Sequence, residues 1–208
     1  MDQQKYLQDI HDIKNLMSRS SQFLSLSGLS GVLAGIYALI GAHFANNIVQ
    51  QHRQIHGYDG CDFSCEAVRE ISAIAAIVFL LAVATAVTMT FYKSKKIGER
   101  FWNATSKRLL VNFLIPLLTG GFVIAKLLQL GHYSLIASLM LIFYGLACLN
   151  GSKYTLRDVR YLAITFIVLG LLALEFRFLG LYFWAIGFGI CHIIYGAIMY
   201  FKYDRKPL

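Results

Sequence analysis

The sequence predicts an all-α membrane protein with six transmembrane helices, both termini cytoplasmic, and an amphipathic helix ahead of the first span. Three observations carry that prediction. Residues of the apolar set make up 57% of the 208 positions and charged residues only 14%, against about a quarter charged in soluble domains. The charges are clustered, and the gaps between clusters reach the roughly 18 or more apolar residues that a helix needs to cross the hydrocarbon of a bilayer. Finally, the basic excess alternates from one connection to the next.

The domains read as an amphipathic segment 1–22, a six-helix membrane domain 23–201 and a tail 202–208. In the first segment Tyr6, Leu7, Ile10, Ile13 and Met17 share one helical face, with Asp2, Asp9, Asp12 and Lys14 largely on another. Such a helix lies on the inner membrane surface or packs on the bundle's cytoplasmic end. The spans read as 23–44, 71–92, 109–130, 132–149, 158–176 and 179–201. The first starts too far from Met1, and without a small-residue cleavage site, to be a signal peptide. Backbone polar groups in lipid must pair within the segment, and the alternation of a barrel strand is absent, so the spans are helices. This leaves no room for a separate soluble domain.

Charge orients the chain. The connection 93–108, KSKKIGERFWNATSKR, holds six basic residues and one acid, while the connection 45–70 holds two Arg against four acids. Residues 150–160 and the tail are again basic. The positive-inside rule therefore places 93–108, 150–160 and both termini in the cytoplasm, with 45–70 outside. The net charge of +8 then sits against anionic headgroups. It does not point to nucleic acid, because no folded basic domain is available to present it. On this topology the NAT pattern at 103–105 is no glycosylation acceptor, since it falls on the inner side.

Span 1 is rich in small residues. Ser27, Gly31 and Gly35 recur at intervals of four, as do Ser30, Ala34, Ala38 and Ala42. That spacing lets helix backbones approach closely, either within one chain or between protomers in a homo-oligomer or with a membrane partner. Span 3 contains NFLIPLLTGG. Pro116 cannot donate to the Asn112 carbonyl, and Gly120-Gly121 weakens the next turn, so a kink or a short unwound piece is expected here. Broken helices at membrane depth line polar cavities in transporters; an ordinary proline kink is the alternative.

Spans 3–4 and 5–6 read as two parallel copies of one hairpin. IAKLLQLGHY at 124–133 aligns with ALEFRFLGLY at 173–182, and further on Tyr144-Gly145 matches Tyr195-Gly196 and Lys153-Tyr154 matches Lys202-Tyr203. In this alignment Lys126 stands opposite Glu175. The two either pair between neighbouring helices or, with Arg177, extend to the headgroups. His192, in GFGICHIIYG, lies near the midplane of span 6. It could relay protons or bind a ligand, or it could bond to a facing Ser, Thr or Tyr. His43 and His132 lie near the outer edge, which argues against a two-His haem site. Lys126, Glu175 and His192 together form the candidate intramembrane polar site.

The outer connection carries Cys61 and Cys65, which an oxidising compartment would join as a disulfide. His52 and His56 upstream complete a set of two His and two Cys that tetrahedral zinc would accept, although His56 is closer to Cys61 than zinc-ligand pairs usually stand. Cys148 and Cys191 lie within spans as small packing residues. No phosphate loop, HExxH or GxSxG motif is present, so no catalytic residue and no cofactor is expected.

The segments SLSGLSGVLAGIYALIGA at 25–42, SKYTLRDVRYL at 152–162 and WAIGFGICHIIYGAIMYFKY at 184–203 resemble a family of uncharacterised bacterial six-span integral membrane proteins. The resemblance implies a plasma-membrane location and this span count. It brings no activity and no functional residues. The reading from sequence is thus a non-enzymatic binding, sensing or interaction protein, or alternatively a small transporter or channel using polar residues inside the bundle.

Overall fold

The computed structural model describes residues 26–56, 65–98 and 101–205, and these are helical with no strand among them. The elements are α1 (Gly28–His56), α2 (Cys65–Lys96), α3 (Ala104–Gln129), α4 (Ile136–Gly151), α5 (Val159–Glu175) and α6 (180–204). Five of these stretches are long and apolar enough to cross a membrane: Gly28–His52, Glu66–Lys96, Ala104–Gln129, Tyr133–Tyr154 and Arg177–Asp204. The sixth helix, α5, has 17 residues, about 25 Å of rise. The amphipathic segment 1–22 falls outside the described residues.

Two expected connections are shorter than the sequence suggested. Helix α1 runs on to His56 and α2 begins at Cys65, so most of the expected outer loop 45–70 is helical. No glycine or proline interrupts the chain between Gly41 and Gly57, and polar side chains there can be solvated without breaking the backbone ladder. At the 93–108 connection α2 continues to Lys96 and α3 starts at Ala104. The NAT tripeptide has a structural role there. The Asn103 side chain accepts from the Ser106 N–H at 2.7 Å, and the Ser106 hydroxyl accepts from the Asn103 N–H at 2.9 Å. This reciprocal capping box starts α3.

The helices alternate in direction. Helix α4 packs on both α3 and α5, α6 packs on α4, α5 and α1, and α1 in turn carries α2. The outermost helices, α2 and α3, do not pack side by side along their lengths. Backbone contact organises the interior. At the α1–α6 crossing, a Cβ on Gly196 would fall 2.5 Å from the Val32 nitrogen and 2.6 Å from the Gly28 oxygen. Gly31 and Gly35 face the same helix, and Ala38 and Ala42 are buried. The small-residue face of span 1 is thus used within the monomer. Between α4 and α5 the notches are reciprocal, with Gly145 receiving Ala163 and Ile167 and Gly170 receiving Ser138 and Ile142.

No unwound piece interrupts α3. The helix is continuous through Pro116 from Ala104 to Gln129. The Asn112 carbonyl that Pro116 leaves without a donor accepts from the Asn150 side chain of α4 at 2.8 Å, so a neighbouring helix repairs the ladder. Gly120 is buried where the Phe143 side chain sits, and Gly121 faces open surface. The glycine pair therefore serves a helix contact on one side and does not unwind the turn.

Candidate functional site

His192 lies at the junction of α4, α5 and α6. Two features of α6 place it there. The helix widens into a π-helical stretch, Ala185–Cys191, immediately before His192. Within it, Gly187 accommodates the Leu141 side chain of α4 and Gly189 that of Leu39 from α1. The extra residue per turn leaves the Gly187 carbonyl facing the imidazole, 3.4 Å from Nδ1. Such π-bulges occur often at functional positions.

The other ring nitrogen meets α4: Nε2 lies 2.8 Å from the Tyr144 hydroxyl. A carbonyl only accepts, so Nδ1 carries the hydrogen toward Gly187. In the neutral ring Nε2 then accepts the Tyr144 O–H. His192 is 9% exposed and Phe166 fully buried. The ring of Phe188 is stacked on the imidazole at 6.0 Å and 11°, and Phe166 meets it edge-on at 5.2 Å. Tyr144 is 4.8 Å from Phe166 and 5.0 Å from Phe188 between centroids. Four rings thus enclose one hydrogen bond. Cys148, one turn along α4, lies in the adjoining cluster with Met199, against which Tyr144 and Tyr195 pack. Two buried hydroxyls, those of Ser138 and Tyr195, have no hydrogen-bond partner among the described residues.

No carboxylate is hydrogen-bonded to His192, and among the described residues no three His, Cys, Asp or Glu side chains gather as metal ligands. What the pair does is bind α4 to α6 inside an aromatic shell.

The candidate residues named from sequence are not brought together. Lys126 is exposed near the end of α3, where it donates to Gln129 at 3.1 Å. Glu175 is exposed at the end of α5, and Arg177 in the turn after it. No ion pair joins Lys126 to Glu175, because α4 stands between α3 and α5. The repeat alignment set them at the same depth but could not say that their helices are not neighbours. The two hairpins also pack differently, since α5 lies mainly on α4, outside its own hairpin. His52 is buried on α1 and His56 ends that helix. Cys61 lies outside the described residues and Cys65 begins α2, so the disulfide and its zinc alternative fall partly outside them too.

Sequence reasoning missed the polar groups at the opposite end of the bundle from the cysteines. Asp204 accepts from the Gly28 N–H at 2.9 Å and from Lys93 at 2.6 Å, and Lys93 also donates to the Leu26 carbonyl at 2.7 Å. One carboxylate from α6 thereby caps α1 and holds α2. Asp158, at the start of α5, accepts from Lys202 at 2.7 Å and from Tyr203 at 3.1 Å. The signal was available: among the described residues at this end, ten Lys and Arg stand against only these two Asp. Both acids are committed to internal contacts, which leaves most of the cations facing outward.

No family model, curated protein or solved structure matches the chain.

Proposed function

We propose that this chain is a six-span plasma-membrane protein, with both termini cytoplasmic, that works by binding and without catalysis. The observation that carries the reading is how its polar groups are disposed. Inside the bundle, His192 and Tyr144 are closed on each other within aromatic rings, and the Asn112 carbonyl is satisfied by Asn150. At one end, by contrast, an unbalanced set of cations faces outward. That disposition places the recognition chemistry at a membrane surface.

Several features support the span count. Helix α5 is short, but it lies against α4 and α6 with Ala163, Phe166 and Ala173 fully buried, so protein as well as lipid solvates it. Its outer face carries Ile164, Val168 and Leu171, all exposed and apolar. The basic end collects the start of α1 and the end of α6, and by the positive-inside rule that end is cytoplasmic. The resemblance to six-span bacterial proteins agrees with this. The transporter reading loses its main supports, since α3 is unbroken and Lys126 and Glu175 are apart and exposed.

Two measurements test the proposal. Reporter fusions at the two termini should both report the cytoplasm. Purified protein in liposomes should neither dissipate a proton gradient nor take up solutes from a substrate panel. Uptake abolished by His192→Ala or Glu175→Gln would overturn the binding reading in favour of transport, and termini on opposite faces would overturn the topology.

A further inference from the structure

The connection between α2 and α3 is where the outward cations meet apolar helix surface. Helix α2 lies mainly on α1, and α3 mainly on α4. At their linked ends, Phe91 of α2 contacts Phe101 of the connector at 5.8 Å between ring centroids. Lysines flank this point from both sides. Lys95 lies 4.7 Å from the centre of the Phe91 ring, and Lys107 lies 5.6 Å from that of the Trp102 ring. Cation–π contacts of this kind hold an ammonium in place without neutralising it. Lys96 and Arg108 are exposed beside them. Neither Asp204 nor Asp158 bonds to any of these four cations, and the connector's one acid, Glu99, lies outside the described residues.

Below each lysine runs an exposed apolar strip at helical spacing. On α2 it passes through Phe91, Val87, Val83 and Leu80. On α3 it passes through Val111, Ile115, Leu118 and Phe122. Each strip advances about 16 Å along its helix, close to half of the roughly 30 Å hydrocarbon core. That is the depth of one leaflet, and hence the reach of acyl chains whose headgroup lies level with the connector.

We propose that the linked ends of α2 and α3 bind an anionic phospholipid, with Lys95 and Lys107 on the phosphate and the acyl chains on the two strips. The charge is complementary, the rings of Phe91 and Trp102 fix the ammonium groups at headgroup level, and the strips match the chains in depth. The site deepens the surface-binding reading above by naming its ligand class, and it rests on that reading for its placement at the membrane surface.

The test uses the full-length protein equilibrated with vesicles of equimolar phosphatidylglycerol and phosphatidylcholine, extracted gently, and read by native mass spectrometry for co-purifying lipid. Phosphatidylglycerol should be enriched in the bound fraction. Lys95→Gln with Lys107→Gln should cut that enrichment by roughly twentyfold, since each cation near the surface contributes about fivefold. Lys153→Gln, at the same end but outside the connector, should leave it unchanged. Absence of enrichment in the wild type would overturn the site, as would an equal loss in the Lys153 variant, which would mean that surface charge alone is responsible. Neither result would touch the topology or the absence of transport, which the fusion and liposome experiments decide separately. Circular dichroism of the double variant confirms that the helices are retained.

Discussion

Helices α1 and α2 are adjacent, antiparallel and of similar length, yet their surroundings are opposite. The central stretch of α2 is the most apolar of the five long spans and none of it is buried, whereas 39% of that of α1, the least apolar, is buried inside the bundle. In water the order would be reversed, since burial there follows apolarity. In lipid, tails are as apolar as leucine, and apolarity only places a helix in the membrane. What draws a helix inside is the ability to approach another backbone or to share a hydrogen bond. Helix α1 has Gly28, Gly31 and Gly35 for the first and Asp204 of α6 as its cap for the second. Helix α2 has no glycine for close backbone approach; its ties are one hydrogen bond to α1 near mid-length, Thr85 with Tyr37 at 3.4 Å, and Lys93 at its end.

The strongest way to break this contrast is to add the same side chain to both environments. Gly196→Leu places a side chain where the α1 backbone now lies. It should lower stability by about 3 kcal/mol or more, at the upper end of overpacking effects because backbone and not a flexible side chain must move. Thermal unfolding of the purified protein would show a large fall in midpoint or a failure to fold. Ala84→Leu on α2, at an exposed position, should stay within about 0.5 kcal/mol of wild type, as surface changes do. Equal effects at the two sites would mean that the α1–α6 contact is not what separates the two regions.

A smaller loss is expected from Asp204→Asn. The carboxylate and its Lys93 partner are 12% and 15% exposed, and hydrogen bonds to charged groups contribute about 1.5–3 kcal/mol. The change should cost about 2 kcal/mol, and Lys93→Met in the same background should add little, because the pair acts as a unit. Additive losses in that double-mutant cycle would separate the cap on α1 from the tie to α2.

The fold was largely legible in the sequence, and the site less so. Clustered charges marked where the long apolar helices begin and end. The small residues of span 1 signalled close packing but could not name α6 as the partner, because spacing on one helix does not say which other helix faces it. The same limit misled the reading of Lys126 and Glu175, since equivalent depth in two hairpins does not bring helices into contact. Pro116 read as a break because its rescue comes from Asn150, 34 positions along the chain. Tyr144 was visible only as the repeat counterpart of Tyr195, and a periodic match carries no hint of a bond to His192.

That bond gives the next prediction. Tyr144→Phe removes the only donor to Nε2 and keeps the ring packing. Interhelical hydrogen bonds in membranes average about 0.6 kcal/mol with a maximum near 1.7, so the loss should be about 1 kcal/mol. Adding His192→Phe to Tyr144→Phe should recover part of it, because replacing both partners by apolar groups leaves no polar atom unpaired. A further loss in the double variant would mean that His192 has another partner of equal weight.

The smallest effect, and the only one expected to change sign, is at Tyr195. Its hydroxyl is buried without a partner among the described residues, next to the Cys148–Met199 cluster. In α4, Tyr144 is bonded to His192; the two tyrosines differ in whether their oxygen has a partner among the described residues. Tyr195→Phe deletes only that oxygen, so the variant should be as stable as wild type or more stable, by up to about 1 kcal/mol. Measured beside Tyr144→Phe in the same unfolding assay, it isolates the hydrogen bond from the ring. If Tyr195→Phe instead loses as much as Tyr144→Phe, its hydroxyl has a polar partner in the folded protein, and the basic-end half of the α4–α6 interface is as polar as the half around His192.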